Sequence, residues 1–193
     1  MHTERQQEII ETALELINEK GIQGLTIKNL SKKLGITEPA IYRHFENKIQ
    51  ILIAVLDMLK SNTSKIFESE RNSSEPAVDK IGRLFEKHFH SFAQKPSLAS
   101  VIFSEEIFRN EEKLISKISE VIEHNNQTLL AILKEGQQKD EIRTDIDAGH
   151  LVVFIMGTLR LFVKKWQFAG FAFNLEKEGT QLVQAVKLLI SKK

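Results

Sequence analysis

Three observations predict an all-α fold: apolar residues recur at helical spacing almost throughout, no stretch alternates as a strand would, and the 193 residues include only three prolines. About nine helices account for the pattern, as an N-terminal three-helix domain containing a helix-turn-helix, followed by a C-terminal helical bundle. The first helix runs from about Thr3 to Lys20. It turns Ile9, Ile10, Ala13, Leu14 and Ile17 to one face and stops at Gly21. Ile22 and Leu25 then close a small core from the loop that follows.

From Leu25 to Lys48 the sequence LTIKNLSKKLGITEPAIYRHFENK reads as two short helices joined by a tight turn. Thr26 can cap the first by accepting from free backbone N–H groups, while Leu30 and Leu34 point inward at i, i+4. Gly35 supplies the left-handed residue that ends this helix, and Ile36 packs back over it. Thr37 caps the second helix, and Pro39 falls in its first turn, where no intrahelical donor is lost. Ala40, Ile41 and Phe45 go to packing, which leaves Glu38, Pro39, Tyr42, Arg43 and His44 outside. That exposed set suits DNA. Ala40 permits close approach, Tyr42 and His44 can donate to phosphate, and Arg43 can bind phosphate or the acceptor edge of guanine. Lys28, Lys32, Lys33, Arg43 and Lys48 stand against only Glu38 and Glu46 here, while the whole chain carries a net charge of +1. A local patch, not bulk charge, would have to hold nucleic acid.

The pattern T-I-x-x-L-x-x-x-L-G-I-T-x-x-A-I-Y-x-H-F-x-x-K, carried from Thr26 to Lys48, resembles the DNA-binding domain of the TetR family of transcriptional regulators. The spacing of Gly35, Thr37, Ala40, Tyr42, His44, Phe45 and Lys48 agrees with that family, as does the chain length. The resemblance implies a homodimeric repressor whose C-terminal domain binds a small ligand. The DNA-contacting set is then Thr26, Lys28, Thr37, Glu38, Pro39, Ala40, Tyr42, Arg43, His44 and Lys48. Pro39 stands where the family often has glycine or another small residue, and Glu38 is acidic, so base preference does not carry over from better-known members.

Beyond the hairpin, a helix from about Asn47 to the late sixties carries Ile51, Leu52, Val55, Leu56 and Leu59, and it joins an N-terminal domain of residues 2–62 to a second of residues 63–193. The polar run ESERNSSE ends it. The next helix shows a clean stripe of Ile81, Leu84, Phe85, His88, Phe89 and Phe92; Pro96 breaks it and opens another helix up to about Phe108. A long helix then places Leu114, Ile118, Val121, Ile122, Asn125, Leu129, Ile132 and Leu133 on one side and ends between Gly136 and Asp140. Asp145 is the expected cap of a helix that is apolar nearly all round from Leu151 to Val163. Asn174 caps the last helix, whose face is Leu182, Val183, Val186, Leu189 and Ile190. These two terminal helices can complete the monomer core and also pair with a second copy as a four-helix bundle. Leu182, Val186 and Leu189 would then carry dimerisation.

Composition narrows the chemistry. There is no cysteine, hence no disulfide, thiol catalysis, Cys-based metal site or cysteine redox sensing. The N-terminus is charged and lacks signal-peptide character, and the longest apolar run is interrupted by Arg160 and shorter than the ~20 residues of a bilayer span. A cytoplasmic protein is the expectation. His88 and His90, two apart on a helix, point about 200° away from each other, and His150 lacks a neighbouring ligand, so no metal site is expected. Neither Ser91 nor Ser104 sits in a nucleophile motif, and glycine-rich phosphate loops are missing, so neither an enzyme nor a cofactor is expected. Of the twelve phenylalanines most follow residue 66. Such stripes pack cores, yet a pocket in the second domain would be lined by the same faces. His88, Phe89, Phe92, Phe103, Phe108, Asn125 and Phe154 are the candidates, with Glu105 and Arg160 as further polar groups. The reading is a DNA-binding regulator released from a palindromic operator by a small apolar effector. Its rival is an architectural DNA binder without an inducer.

Overall fold

The computed structural model describes residues 2–109 and 111–192, apart from the side chains of Glu105 and Glu106. Among these residues the chain is helical, with no named strand: α1 (Glu4–Lys20), a 3-10 turn (Ile22–Gly24), α2 (Ile27–Leu34), α3 (Glu38–Tyr42), α4 (Lys48–Arg71), α5 (Ala77–Gln94), α6 (Pro96–Ile102), α7 (Glu105–Phe108), α8 (Glu112–Gln138), α9 (Ala148–Phe168) and α10 (Leu175–Ile190). Nine of these have five residues or more. The single helix expected after Pro96 is divided, α6 ending at Ile102 and the four-residue α7 following it. No helix among the described residues is long and apolar enough to cross a membrane.

Two compact units are present. One comprises the chain up to Lys60 together with Pro96–Glu120, and the other Ser61–Lys95 together with Val121 onward. In the first, Thr3 and Gln6 form a reciprocal capping box at the start of α1, with Gln6 N–H donating to Thr3 Oγ1 at 3.2 Å and Thr3 N–H to Gln6 Oε1 at 3.0 Å. Ile9, Ile10, Ala13, Leu14 and Ile17 are buried as the periodicity requires, and Leu25 closes the core, while Ile22 is only half-buried. The segment 96–120, past the sequence boundary at 62/63, belongs to this unit: α6 packs on α1, and Lys117 Nζ meets Asp57 Oδ1 of α4 at 2.8 Å.

In the second unit α5 lies closely on α10 because Gly179 has no side chain. A Cβ there would lie 2.3 Å from the Phe89 ring. Phe89 is further enclosed by Phe85 and Phe162, with centroids 5.8 and 5.4 Å away. The N-terminus of α5 follows Pro76, which offers no capping side chain. Glu141 Oε2, sixty-four residues on, accepts from Ala77 N–H at 2.6 Å instead. At the far end of α4, the buried Glu70 carboxylate accepts from Arg83 Nε at 2.8 Å and Lys87 Nζ at 2.6 Å, both on one face of α5. Burial pushes the Glu70 carboxyl up, but its bonds to Lys87 and Arg83 outweigh this and hold it below the ordinary 4.5.

Three sequence expectations are corrected. Asp145 does not cap α9, because both its oxygens are taken by Arg143 at 2.6 and 2.7 Å. Asp147 caps instead, accepting from Gly149 N–H at 2.8 Å and His150 N–H at 3.4 Å. Ile122 is exposed, one step off the buried line of Ile118, Val121 and Asn125. The assigned dimer residues also divide: Val186 is 6% exposed and packs inside its own chain, Leu182 is half-buried, and Leu189 is 64% exposed.

Two outcomes follow from this packing. Val186→Glu puts an unpaired charge into the monomer core and should cost several kcal/mol, whereas Leu189→Glu should leave the monomer folded; thermal melts of the two variants check this. Glu70→Gln should lower the melting temperature at pH 7. Since the folded pKa lies below its unfolded value, the ion pairs contribute fully above ~4.5 and are lost as pH falls through the folded pKa. The gap to wild type should therefore close as pH falls below 4.5 and through the folded pKa.

Candidate nucleic-acid interface and effector-responsive core

The reading head is built by two helix ends. Thr26 Oγ1 accepts from Asn29 N–H at 3.1 Å and starts α2; Gly35, at φ 66 and ψ 29, ends it. Ile36 N–H then donates back to the Ser31 carbonyl at 3.1 Å and Gly35 N–H to that of Lys32 at 3.3 Å, a paired closure that only a left-handed residue permits. Thr37 occupies the cap position of α3 without a side-chain cap bond, so its exposed hydroxyl is left at the surface; its carbonyl accepts from Ala40 N–H at 3.0 Å. Ile41 and Phe45 are buried and fix the helix to the core, and Gln6 Nε2 of α1 donates to the His44 carbonyl at 3.4 Å. Glu38, Pro39, Tyr42 and Arg43 are exposed, with Ala40 and His44 half-buried.

The five cations of this stretch are not equivalent. Lys33 is bound by Glu19 and, at 3.3 Å, by Glu15 of α1, two acids one helical turn apart. Lys48 is half-buried and donates to the Ile22 carbonyl at 3.3 Å. Lys28, Lys32 and Arg43 are exposed and form no ion pair among the described residues. These three offer phosphate an uncompensated charge.

In the second unit His88 is buried, its Nδ1–H donating to the Leu84 carbonyl at 2.7 Å in the tautomer that leaves Nε2 an acceptor. Burial pushes its pKa down against the opposing effect of Leu84, so the ring is neutral. Phe67 meets it edge-on at 5.4 Å and Phe92 at 6.3 Å. Phe67 was not singled out from the sequence, although it continues the α4 stripe eleven residues after Leu56. Asn125 is buried and its Oδ1 has no hydrogen-bond partner among the described residues. The other candidates part from these. Phe89 is enclosed by its packing partners; Phe154 is 66% exposed and lies on the surface; buried Phe103 and half-buried Phe108 belong to the first unit. Glu105 has its side chain outside the described residues, and Arg160 is exposed. His90 pairs with Glu176 at 2.7 Å, away from His88.

Phe154 has company. Val153, Leu161 and Phe168 of α9 and Leu188 and Leu189 of α10 are also exposed, and Phe154, Leu161 and Phe168 recur every seven residues along one side of their helix.

A short helix anchored by two buried residues, presenting polar groups outward beside three unpaired cations, defines a helix-turn-helix DNA-binding protein. Residues 9–55 match the family described as bacterial regulatory proteins, tetR family, and residues 56–192 match the C-terminal region of YsiA-like proteins. The chain belongs to the TetR family and is a DNA-binding transcriptional regulator. It is 28% identical over 159 residues to the fatty acid metabolism regulator protein of Bacillus subtilis, covering 82% of this chain and 81% of that one. It is 31% identical over 195 residues to the nucleoid occlusion factor SlmA of Glaesserella parasuis, covering 96% and 92%. The structure of the Bacillus subtilis regulator FadR in complex with stearoyl-CoA superposes with a TM-score of 0.81 at 26% identity, covering 93% of this chain and 96% of that one.

Lys32→Ala should reduce the slope of log affinity against log salt by ~1 on any duplex, whereas Lys33→Ala should leave it nearly unchanged, because Lys33 is already neutralised. Titrations at several salt concentrations decide between them.

Proposed function

We propose that this regulator is a homodimeric repressor that holds a palindromic operator and leaves it when a long-chain acyl thioester, or a similar largely apolar molecule, occupies the second unit. The observation that carries the effector reading is the buried Oδ1 of Asn125, which has no hydrogen-bond partner among the described residues, in the unit that also holds the buried, neutral ring of His88. An unpaired buried acceptor costs ~1–3 kcal/mol, and a fold that keeps one has a use for it. The Phe67 ring edge-on and the Phe92 ring tilted against His88 suit an apolar guest with one polar end. The complex of the Bacillus subtilis relative with stearoyl-CoA supports the ligand class.

Dimerisation falls to the exposed stripe of α9 and α10, with Leu189 retained from the sequence assignment and Phe154, Leu161, Phe168 and Leu188 added. Two copies bring two α3 helices to half-sites about one DNA turn apart, a requirement that a palindrome satisfies. Lys28, Lys32, Arg43, Tyr42 and His44 position the head on phosphate, with Lys48 and Thr26 at its margin. Thr37, Glu38, Pro39 and Ala40 face the bases. An effector binding one arrangement of the protein about 100-fold tighter than the other supplies about 3 kcal/mol of coupling, enough to empty an operator. The second reading is an architectural DNA binder that needs no inducer.

Asn125→Leu and His88→Leu distinguish these. Asn125→Leu should raise or preserve the melting temperature by removing an unfilled polar group, while His88→Leu loses the bond to the Leu84 carbonyl and should lower it modestly; each should keep unliganded DNA affinity and abolish both the thermal shift and the DNA release produced by stearoyl-CoA. Wild-type protein that shows no shift and no release with acyl thioesters of any chain length overturns the effector reading in favour of the second.

A further inference from the structure

Glu38 is the one anion on the outward side of α3, at its first position, exposed, and absent from every ion pair and hydrogen bond among the described residues. Arg43, one residue past the helix, does not pair with it. The free N–H groups of the helix start favour a carboxylate here, but near a polyanion the same charge is repulsive unless the DNA presents a donor to it. In the major groove the donors are the exocyclic amino groups of cytosine and adenine, and adenine carries the N7 acceptor beside its amino group, which repels a carboxylate. We infer that Glu38 is the specificity-determining residue of the head, accepting from the N4 amino group of a cytosine in each half-site and rejecting sequences that place an acceptor or a methyl group there. This rests on the DNA-reading role of α3 proposed above. It adds a division of labour: the free cations Lys28, Lys32 and Arg43 attract any duplex, while Glu38 makes poorly matched duplexes unfavourable.

The test is binding-site selection from a random duplex library with full-length wild type, Glu38→Gln and Glu38→Ala, followed by titration on the selected site and on an unrelated duplex. Wild type should select a cytosine at one symmetric position, and replacing that C·G pair by T·A should weaken it about tenfold or more. Glu38→Gln should lose that penalty or move its preference to adenine, which an amide can bind at N6 and N7, and both variants should bind the unrelated duplex severalfold tighter. Melting temperatures confirm that the variants are folded. If both folded variants keep the wild-type preference at every position and gain nothing on unrelated DNA, Glu38 serves only the helix N-terminus and the inference is overturned while the DNA-reading head stands. If wild type selects no sequence at all, the proposed operator binding falls and this inference with it.

Discussion

A helix of five residues has no stability of its own, and α3 exists because Ile41 and Phe45 are buried beneath it. The outward display of Glu38, Pro39, Tyr42 and Arg43 depends on that anchorage. The Gly35 closure sets the direction in which the chain leaves α2, the fixed φ of Pro39 starts α3 at once, and the bond from Gln6 to the His44 carbonyl holds its far end. The outward side chains are then displayed on a surface whose own residues do almost nothing for stability, which leaves them free to be chosen for recognition.

The second unit divides its interior differently. Where α5 meets α10 the contact is tight and apolar, admitted by the bare backbone at Gly179 and filled by Phe89. Where α5 meets the end of α4 the contact is a buried carboxylate between two cations, directional and unforgiving of a sliding helix. His88 sits on the same helix, its ring against Phe67 of α4 and its Nδ1–H given to the Leu84 carbonyl. One helix thus combines two rigid attachments with a buried polar ring that joins neither the ion pairs nor the Gly179 seat.

Much of this was legible in the sequence, because local signals and burial agreed. Thr26, Gly35, Asn174 and the α5 stripe each act through residues a few positions away, so spacing alone located them. Readings changed where a partner outside the helical pattern decided. Asp145 looks like a cap until Arg143, two residues before it, claims both oxygens, and Lys33 adds to the local positive charge until α1 brings Glu15 and Glu19 beside it. Val186 and Leu189 stand three residues apart on one apolar helix; only packing against a particular neighbour separates the buried residue from the exposed one. The aromatic candidates divide for the same reason: Phe89 and Phe154 both stand in apolar helical stretches, one buried and the other exposed.

The bond from Glu141 to the first turn of α5, together with the seat of Phe89 at Gly179, has a consequence for how the protein is made. The core of α1 to α3 draws on residues up to Phe45 and on the α6 that packs against α1, whereas α5 stays without its cap until residue 141 appears and without its packing partner until α10 is complete. At ~5–20 residues per second the interval is on the order of ten seconds, during which Phe85, Phe89 and Phe92 have no permanent cover. Nascent chains therefore pass through a stage with a formed head and an open, aromatic-rich remainder, and loss of α10 by a late stop codon would make that stage permanent.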